Sequence, residues 1–209
     1  MLYAVDDIQK EVRQALDLDT RSGQLIDAGD IDTLSVNELV TGKIEDAARA
    51  VETSAPVQLL HSGHTFGDTV FREGDGSGYL PLPDDFMRLR AFRMGDWERT
   101  VHTAIAESDP IYRLQSSRWA GLRGTPARPV CALVPRAEGL SLEFYSCRHD
   151  TVPVELALYL PYPRIEGGLI DLSPRCFRAV VYHTAGLVGH ALGMERANDY
   201  FDISKSLLV

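Results

Sequence analysis

Residues 152–193, VPVELALYLPYPRIEGGLIDLSPRCFRAVVYHTAGLVGHALG, carry two periodicities in one stretch. Val152, Val154, Leu156 and Leu158 fall on every second position, the repeat of a half-buried strand. From Phe177 the apolar positions step by three and four through Val180, Val181, Leu187, Val188, Ala191 and Leu192, the repeat of a helix. Between them, Ser173 before Pro174 predicts an N-cap with proline at the first helical position, where a missing N–H costs nothing. Gly193 predicts the C-terminal stop. A chain that sets both periods side by side is α+β.

Beyond Gly193, Ala197, Tyr200, Phe201, Ser204, Leu207 and Leu208 keep helical spacing, so the chain closes in a further helix. Before residue 152, short apolar or alternating runs broken by Gly, Pro and Asp predict strands at 57–61, 65–71, 86–94, 99–105, 130–134 and 140–146, with the last predicted strand at 152–160. Leu140, Leu142 and Phe144 share one parity, as half-buried antiparallel strands require. At the N-terminus, Val5, Ile8, Val12, Ala15 and Leu16 mark a helix over 4–18. After a loop with Gly23 and Gly29, Ser35 and Glu38 form a capping box for a second helix striped by Val40, Ile44, Ala47 and Val51, ending before Pro56. The expected plan is a single domain over 1–209. Its N- and C-terminal amphipathic helices, 1–54 and 173–209, form a helical base, and 55–165 is a β-rich antiparallel insertion.

Composition narrows the function. A chain of 209 residues with 44% hydrophobic residues is long and apolar enough for a real core. No run approaches roughly 18 uninterrupted apolar residues, and the opening residues carry acids where a secretory leader needs bases. A soluble protein without an export signal is expected. Cys131, Cys147 and Cys176 are odd in number and widely spaced, which fits neither a disulfide framework nor a CxxC site and implies a reducing compartment. The net charge of −9 is uneven: residues 1–54 hold 5 basic and 12 acidic residues, whereas 88–136 hold 9 and 4, all nine basic residues being arginine. Tight nucleic-acid binding needs clustered bases and is disfavoured overall.

The chemistry-bearing residues form no recognisable catalytic constellation. His61, His64 and Asp68 lie in a strand-and-turn region where residues three apart face opposite ways, so turn histidines are expected rather than metal ligands. His183 and His190 lack an acidic or cysteine partner one turn away and read as packed or interface side chains. No G-x-S-x-G elbow is present; Cys131 and Cys147 fall in predicted strands, and Cys176 in a first helical turn reads as packing. Asp84 and Asp85 after Pro83 suit a turn or a helix start rather than acid–base work, and the glycines of 74–78 lack the G-x-G-x-x-G spacing. Arg113, Arg118, Arg123 and Arg128, with Tyr112 and Trp119 among them, read either as a solvated loop or as a protein interface, whose usual composition they share. No catalytic, cofactor-binding or metal residue is assigned, and no enzyme activity is expected.

Residues 79–89, YLPLPDDFMRL, resemble the LP-x-D-F-x-R-L segment of head-to-tail connector (adaptor or neck) proteins of tailed bacteriophages, on Leu82, Pro83, Asp85, Phe86, Arg88 and Leu89. The order of the surroundings is similar too: two N-terminal helices, a β-rich middle, ELALYLPYP, and the closing CFRAVVYHTAGLVGHALGMERANDYFD. The resemblance spans most of the chain through short patterns. It implies a non-enzymatic virion structural protein made in the cytoplasm of the bacterial host. Its place would be the virion neck, as a ring of about twelve copies docked to the portal protein and joined to tail or stopper proteins. DNA would pass through the channel without specific binding, and no cofactor or membrane would be involved. The arginine-rich segment and the long β middle make it resemble a connector whose helical base is elaborated by a β insertion. A different function class stays open, a carbohydrate- or protein-binding module with Tyr79, Trp97 or Trp119 as a ligand platform.

Overall fold

The computed structural model describes residues 1–16, 36–117, 119 and 121–209. In chain order the elements are β1 (Leu2–Ala4), α1 (Val5–Ala15), α2 (Val36–Ser54), β2 (His64–Thr65), β3 (Phe71–Gly74), β4 (Ser77–Pro81), β5 (Phe86–Met94) and β6 (Ile105–Ala106). They continue with α3 (Pro110–Leu114), β7 (Cys131–Arg136), β8 (Gly139–Phe144), β9 (Val154–Pro161), β10 (Ile165–Glu166), β11 (Leu169–Asp171), α4 (Phe177–Ala191) and α5 (Ala197–Ser206). The fold is mixed α+β, and its chain divides into two compact units, residues 1–61 with 163–209, and residues 62–162.

The first unit is built around α4, which packs against α1, α2 and α5. Its buried residues, Ala179, Val180, Val181, Thr184, Ala185, Gly186, Val188 and Gly189, nearly encircle the helix, as a helix with neighbours on several sides requires. Two glycines permit the closest approach: a Cβ on Gly186 would sit 2.7 Å from the Phe201 ring, and one on Gly189 3.3 Å from the Ala197 Cβ. The helix ends at Gly193, whose φ of +69° suits a residue without Cβ. There the Gly193 N–H bonds the His190 carbonyl and the Met194 N–H that of Gly189. Against α4, α1 buries Val5, Ile8 and Val12, and α2 buries Val36, Val40, Ile44, Ala47, Ala48 and Val51. A small antiparallel sheet of order β1-β11-β10 completes the unit.

The predicted cap of α4 is overturned, because the helix starts at Phe177 with Cys176 as its capping residue. Both polar groups of Ser173 are engaged elsewhere. Its N–H donates to buried Glu52 at 2.6 Å, and its hydroxyl accepts from the His61 N–H at 3.1 Å. Ser173 to Cys176 therefore form a single turn ahead of the helix, closed by the Cys176 N–H on the Ser173 carbonyl at 2.8 Å. Ser35, half of the predicted capping box, and the loop with Gly23 and Gly29 lie outside the described residues.

The second unit has a five-stranded sheet of order β3-β4-β8-β7-β6 and a three-stranded sheet of order β2-β9-β5. Both sheets feed one core containing Leu80, Phe86, Leu89, Phe92, Trp97, Leu142, Phe144 and Tyr159. Phe92 is its hub, with ring centroids 5.5 Å from Trp97, 6.2 Å from Phe144 and 6.3 Å from Phe66. The strand predicted at 86–94 is present with those limits. Three register shifts against β9 explain why its buried residues, Phe86, Leu89, Ala91, Phe92 and Met94, do not strictly alternate.

Several predicted strands are corrected. Residues 57–59 form a 3₁₀ turn behind Pro56, and 65–71 is broken at Gly67 (φ +94°), leaving only β2 and the first residue of β3. Of 99–105, Val101 makes one isolated bridge to Phe92, and only Ile105 belongs to a strand. In β9 both parities bury residues, Ala157 and Tyr159 on one and Leu160 on the other, while Val154, Leu156 and Leu158 are half-buried. The strand is covered on both faces rather than one. Likewise β8 buries Ser141 and Glu143 as well as Leu142 and Phe144, whereas Leu140 is exposed. Cys147 lies beyond β8, not within it.

The glycines of 74–78 form the β3–β4 hairpin. Gly74 pairs with Ser77 across Asp75 and Gly76, both at positive φ, the Asp-Gly turn whose twist matches two antiparallel strands. Gly76 is also an obligatory close approach, since a Cβ there would lie 1.8 Å from the Cys147 carbonyl oxygen.

Candidate functional site

The arginine-rich segment contains a helix that its composition hid. Asp109 accepts from the Ile111 N–H at 2.8 Å and Pro110 opens α3, the Asp-Pro start that residues 109–110 already signalled. Past α3, Gln115 closes a loop. Its side chain is buried, donates to the Ile111 carbonyl at 2.9 Å and accepts from the Gly124 N–H at 2.8 Å. The neck of the loop is thus tied while its apolar residues face solvent: Trp119 is 77% and Leu122 52% exposed, with Ile111 and Leu114 of α3 exposed beside them. Arg113 and Arg128 are exposed and Arg123 is half-buried, none with an acidic partner among the described residues. Arg118 lies outside the described residues.

The wall formed by α3 and Arg123 borders a polar cleft of about 580 Å³. Its floor is the outer face of the five-stranded sheet, where register sets Phe71, Tyr79 and Glu143 in a cross-strand row. Phe71 stacks on Tyr79 at 4.8 Å, and the Arg136 guanidinium lies 3.7 Å above the Tyr79 ring. That guanidinium bonds Glu143 at 2.6 Å and Glu73 at 3.0 Å. The Tyr145 hydroxyl donates to Glu143, as does that of Tyr112 at 3.3 Å. Burial and then the Glu143 carboxylate push both phenols up from their ordinary value. Hydrogen bonds to Glu143 and Glu73 raise Arg136 against the opposing effect of its burial. The phenols therefore remain donors, and Glu143 has its acceptor sites filled. The cluster ties strands of the floor together through one guanidinium shared by two carboxylates.

The residues of the LP-x-D-F-like segment occupy the entry to β5. The Phe86 N–H bonds the Pro83 carbonyl at 3.0 Å, closing a turn over Asp84 and Asp85. Asp85 ties this turn to β9 and the residue after it, through the Tyr159 hydroxyl on its carboxylate at 2.9 Å and the Tyr162 N–H on its carbonyl at 2.8 Å. Leu82, Phe86 and Leu89 are buried, and Arg88 is half-buried.

The other candidates range from buried to exposed. His61 and His64 fall in different units, and the His64 ring meets Tyr159 edge-on at 5.9 Å. Among the described residues no group of His, Cys, Asp or Glu has the arrangement of a metal site. His183 and His190 both lie against Phe201, and burial, then Lys205, lowers the pKa of His183. All three cysteines are buried; burial keeps Cys131 and Cys147 as thiols, the latter pushed up to about 12. Trp97 is 1% exposed and cannot be a ligand platform, and Tyr79 is covered by Phe71 and Arg136. Trp119 alone of that aromatic set is open to solvent.

No family model and no curated protein matches the chain. Among the described residues no helix is long and apolar enough to cross a membrane.

Proposed function

We propose that the chain is a non-enzymatic virion structural protein, a subunit of a head-to-tail connector ring that docks to a portal protein, joins the capsid to tail or stopper proteins and lets DNA pass. The observation that carries this reading is the pairing of two segments, each similar to connector proteins, that lie far apart in sequence. YLPLPDDFMRL supplies the turn at Asp84–Asp85 and the start of β5, ELALYLPYP supplies β9, and β5 pairs with β9 along its whole length. Asp85 fastens the turn to Tyr159 and Tyr162. Two of the short patterns behind the resemblance thus meet in one strand pair, which supports the reading.

In this reading the helical unit is the base of the connector and residues 62–162 are the insertion that elaborates it. Exposed Asp6 and Asp7 on α1 and Glu38 and Asp46 on α2 suit a channel that repels the phosphate backbone. Arginine, tryptophan and leucine on α3 and its loop suit contact with another protein.

Negative-stain electron microscopy and native mass spectrometry of the purified protein, alone and with the portal protein of the same phage, test the proposal. Closed rings with a central channel are expected. A chain that forms no ring alone and is not retained by the portal overturns it.

A further inference from the structure

The cleft and its α3 wall form a surface with two unmet demands. Ile111 and Leu114 are apolar and exposed on a helix of five residues, and Arg113 and Arg123 carry charge with no acidic partner among the described residues. Glu143 and Glu73 of the cleft are bonded to Arg136 and make no ion pair with Arg113 or Arg123 among the described residues. Asp75, at the tip of the β3–β4 hairpin, lines the same cleft and makes no ion pair among the described residues.

One described element has the complementary character. α5 turns Phe201 and Ser204 toward α4: Phe201 lies against Gly186, and the Ser204 hydroxyl donates to the Ala179 carbonyl. Its outward face is then Asp199, Asp202, Ile203 and Leu207, all exposed. Ile203 and Leu207 are four residues apart, the spacing by which an amphipathic helix lays two anchors in a groove. The ion pairs of Asp199 and Asp202 among the described residues are to exposed near neighbours, Arg196 at 3.7 Å and Lys205 at 3.8 Å, contacts weak enough to be exchanged.

We infer that the outward face of α5 in one copy of this chain docks on the α3 wall of the cleft in the next copy. Ile203 and Leu207 cover Ile111 and Leu114, and Asp199 and Asp202 meet Arg113 and Arg123. The contact is heterologous, using different surfaces on the two copies, so repeating it generates a closed ring when the rotation closes. The inference rests on the connector reading and specifies the subunit contact within it.

The experiment is a charge-swap cycle on the full chain, with self-association followed by sedimentation velocity and native mass spectrometry over a wide concentration range. Arg113→Glu with Arg123→Glu, and separately Asp199→Lys with Asp202→Lys, should each weaken association about tenfold or more, with the steepest loss at low salt. Combining all four should restore most of the lost association, because the pairs are re-formed with reversed sign. Ile203→Ser with Leu207→Ser should weaken association without dependence on salt. Thermal melts of each variant separate lost docking from lost folding. Wild-type protein that stays monomeric throughout, reversals without effect, or a fourfold variant without recovery each overturns this contact. Rings that persist through all the substitutions overturn it while leaving the connector reading standing.

Discussion

The helical unit and the β unit solve the same packing problem by opposite means. The buried residues of α4 itself are small or β-branched, and Gly186 and Gly189 bring α5 close. In the β unit the interior is made of large rings, with Phe92 beside Phe66, Trp97 and Phe144, and on the sheet's other face Glu143 is buried under hydrogen bonds from Arg136, Tyr112 and Tyr145. A helix can bring its neighbour closer by removing side chains. Strands are held at a spacing set by backbone hydrogen bonds, so the volume between sheets must be filled by the side chains themselves.

This contrast breaks most readily at the aromatic hub. Phe92→Ala should lower stability by about 3–5 kcal/mol, the cost of removing a phenylalanine whose cavity cannot collapse, and Phe86→Ala should fall in the same range. Urea unfolding measures both, and a loss below about 1 kcal/mol would show a core that relaxes instead.

The opposite change probes the helical unit. Gly186→Val adds volume where Phe201 already sits, and should cost about 1–3 kcal/mol with altered near-ultraviolet signals from the displaced ring. Phe201→Leu in the same chain should recover part of that loss, since the shorter side chain frees the space.

A smaller effect separates the two kinds of polar burial through pH. Burial, with the Asp85 carboxylate beside it, pushes the Tyr159 phenol up to about 12 from its ordinary value near 10. Because the folded value is the higher one, this contribution is complete below about pH 10. It is lost as pH rises from about 10 toward 12, where the unfolded chain deprotonates first. Tyr159→Phe should flatten that part of the alkaline decline and cost roughly 1 kcal/mol at neutral pH for the missing hydrogen bond. An unchanged alkaline limb would place its source elsewhere, with Tyr112 and Tyr145 over Glu143 as the groups to replace next.

The smallest effect belongs to the exposed arginines. Arg113→Glu with Arg123→Glu should change the stability of the monomer by less than about 0.5 kcal/mol, because neither guanidinium is bound within the described fold. A larger loss in a melt under dissociating conditions would make these residues structural and end their use as docking groups.

Much of the helical unit was legible in the residues. The three-and-four spacing of Val5, Ile8 and Val12, and of Val40, Ile44, Ala47 and Val51, reports burial directly, because a helix satisfies its own backbone and needs only one consistent face. Phe86–Met94 was legible as a strand for its run of large apolar residues. The candidate site was legible only as a composition. Arg113, Trp119 and Arg123 stood out, but the cleft beside them depends on Glu143 and Arg136, ordinary strand residues by any local measure, and on Tyr145 just past β8. β4 was missed because Gly78 and Pro81 argue against a strand locally. The glycine is required by a neighbour across the sheet, since a Cβ there would lie 2.3 Å from the Phe71 carbonyl oxygen.

By itself the sequence determined the α+β class, the positions of four of the helices and the unequal spread of charge, because each follows from composition or from interactions between residues near in the chain. Tertiary structure alone decided that β8 and β9 bury residues on both faces and that Trp97 is enclosed while Trp119 is not. It also decided that Ser173 serves Glu52 and His61 instead of capping α4. These outcomes turn on partners tens of residues away, and a buried polar group goes to whichever partner satisfies it best once the chain has brought them together.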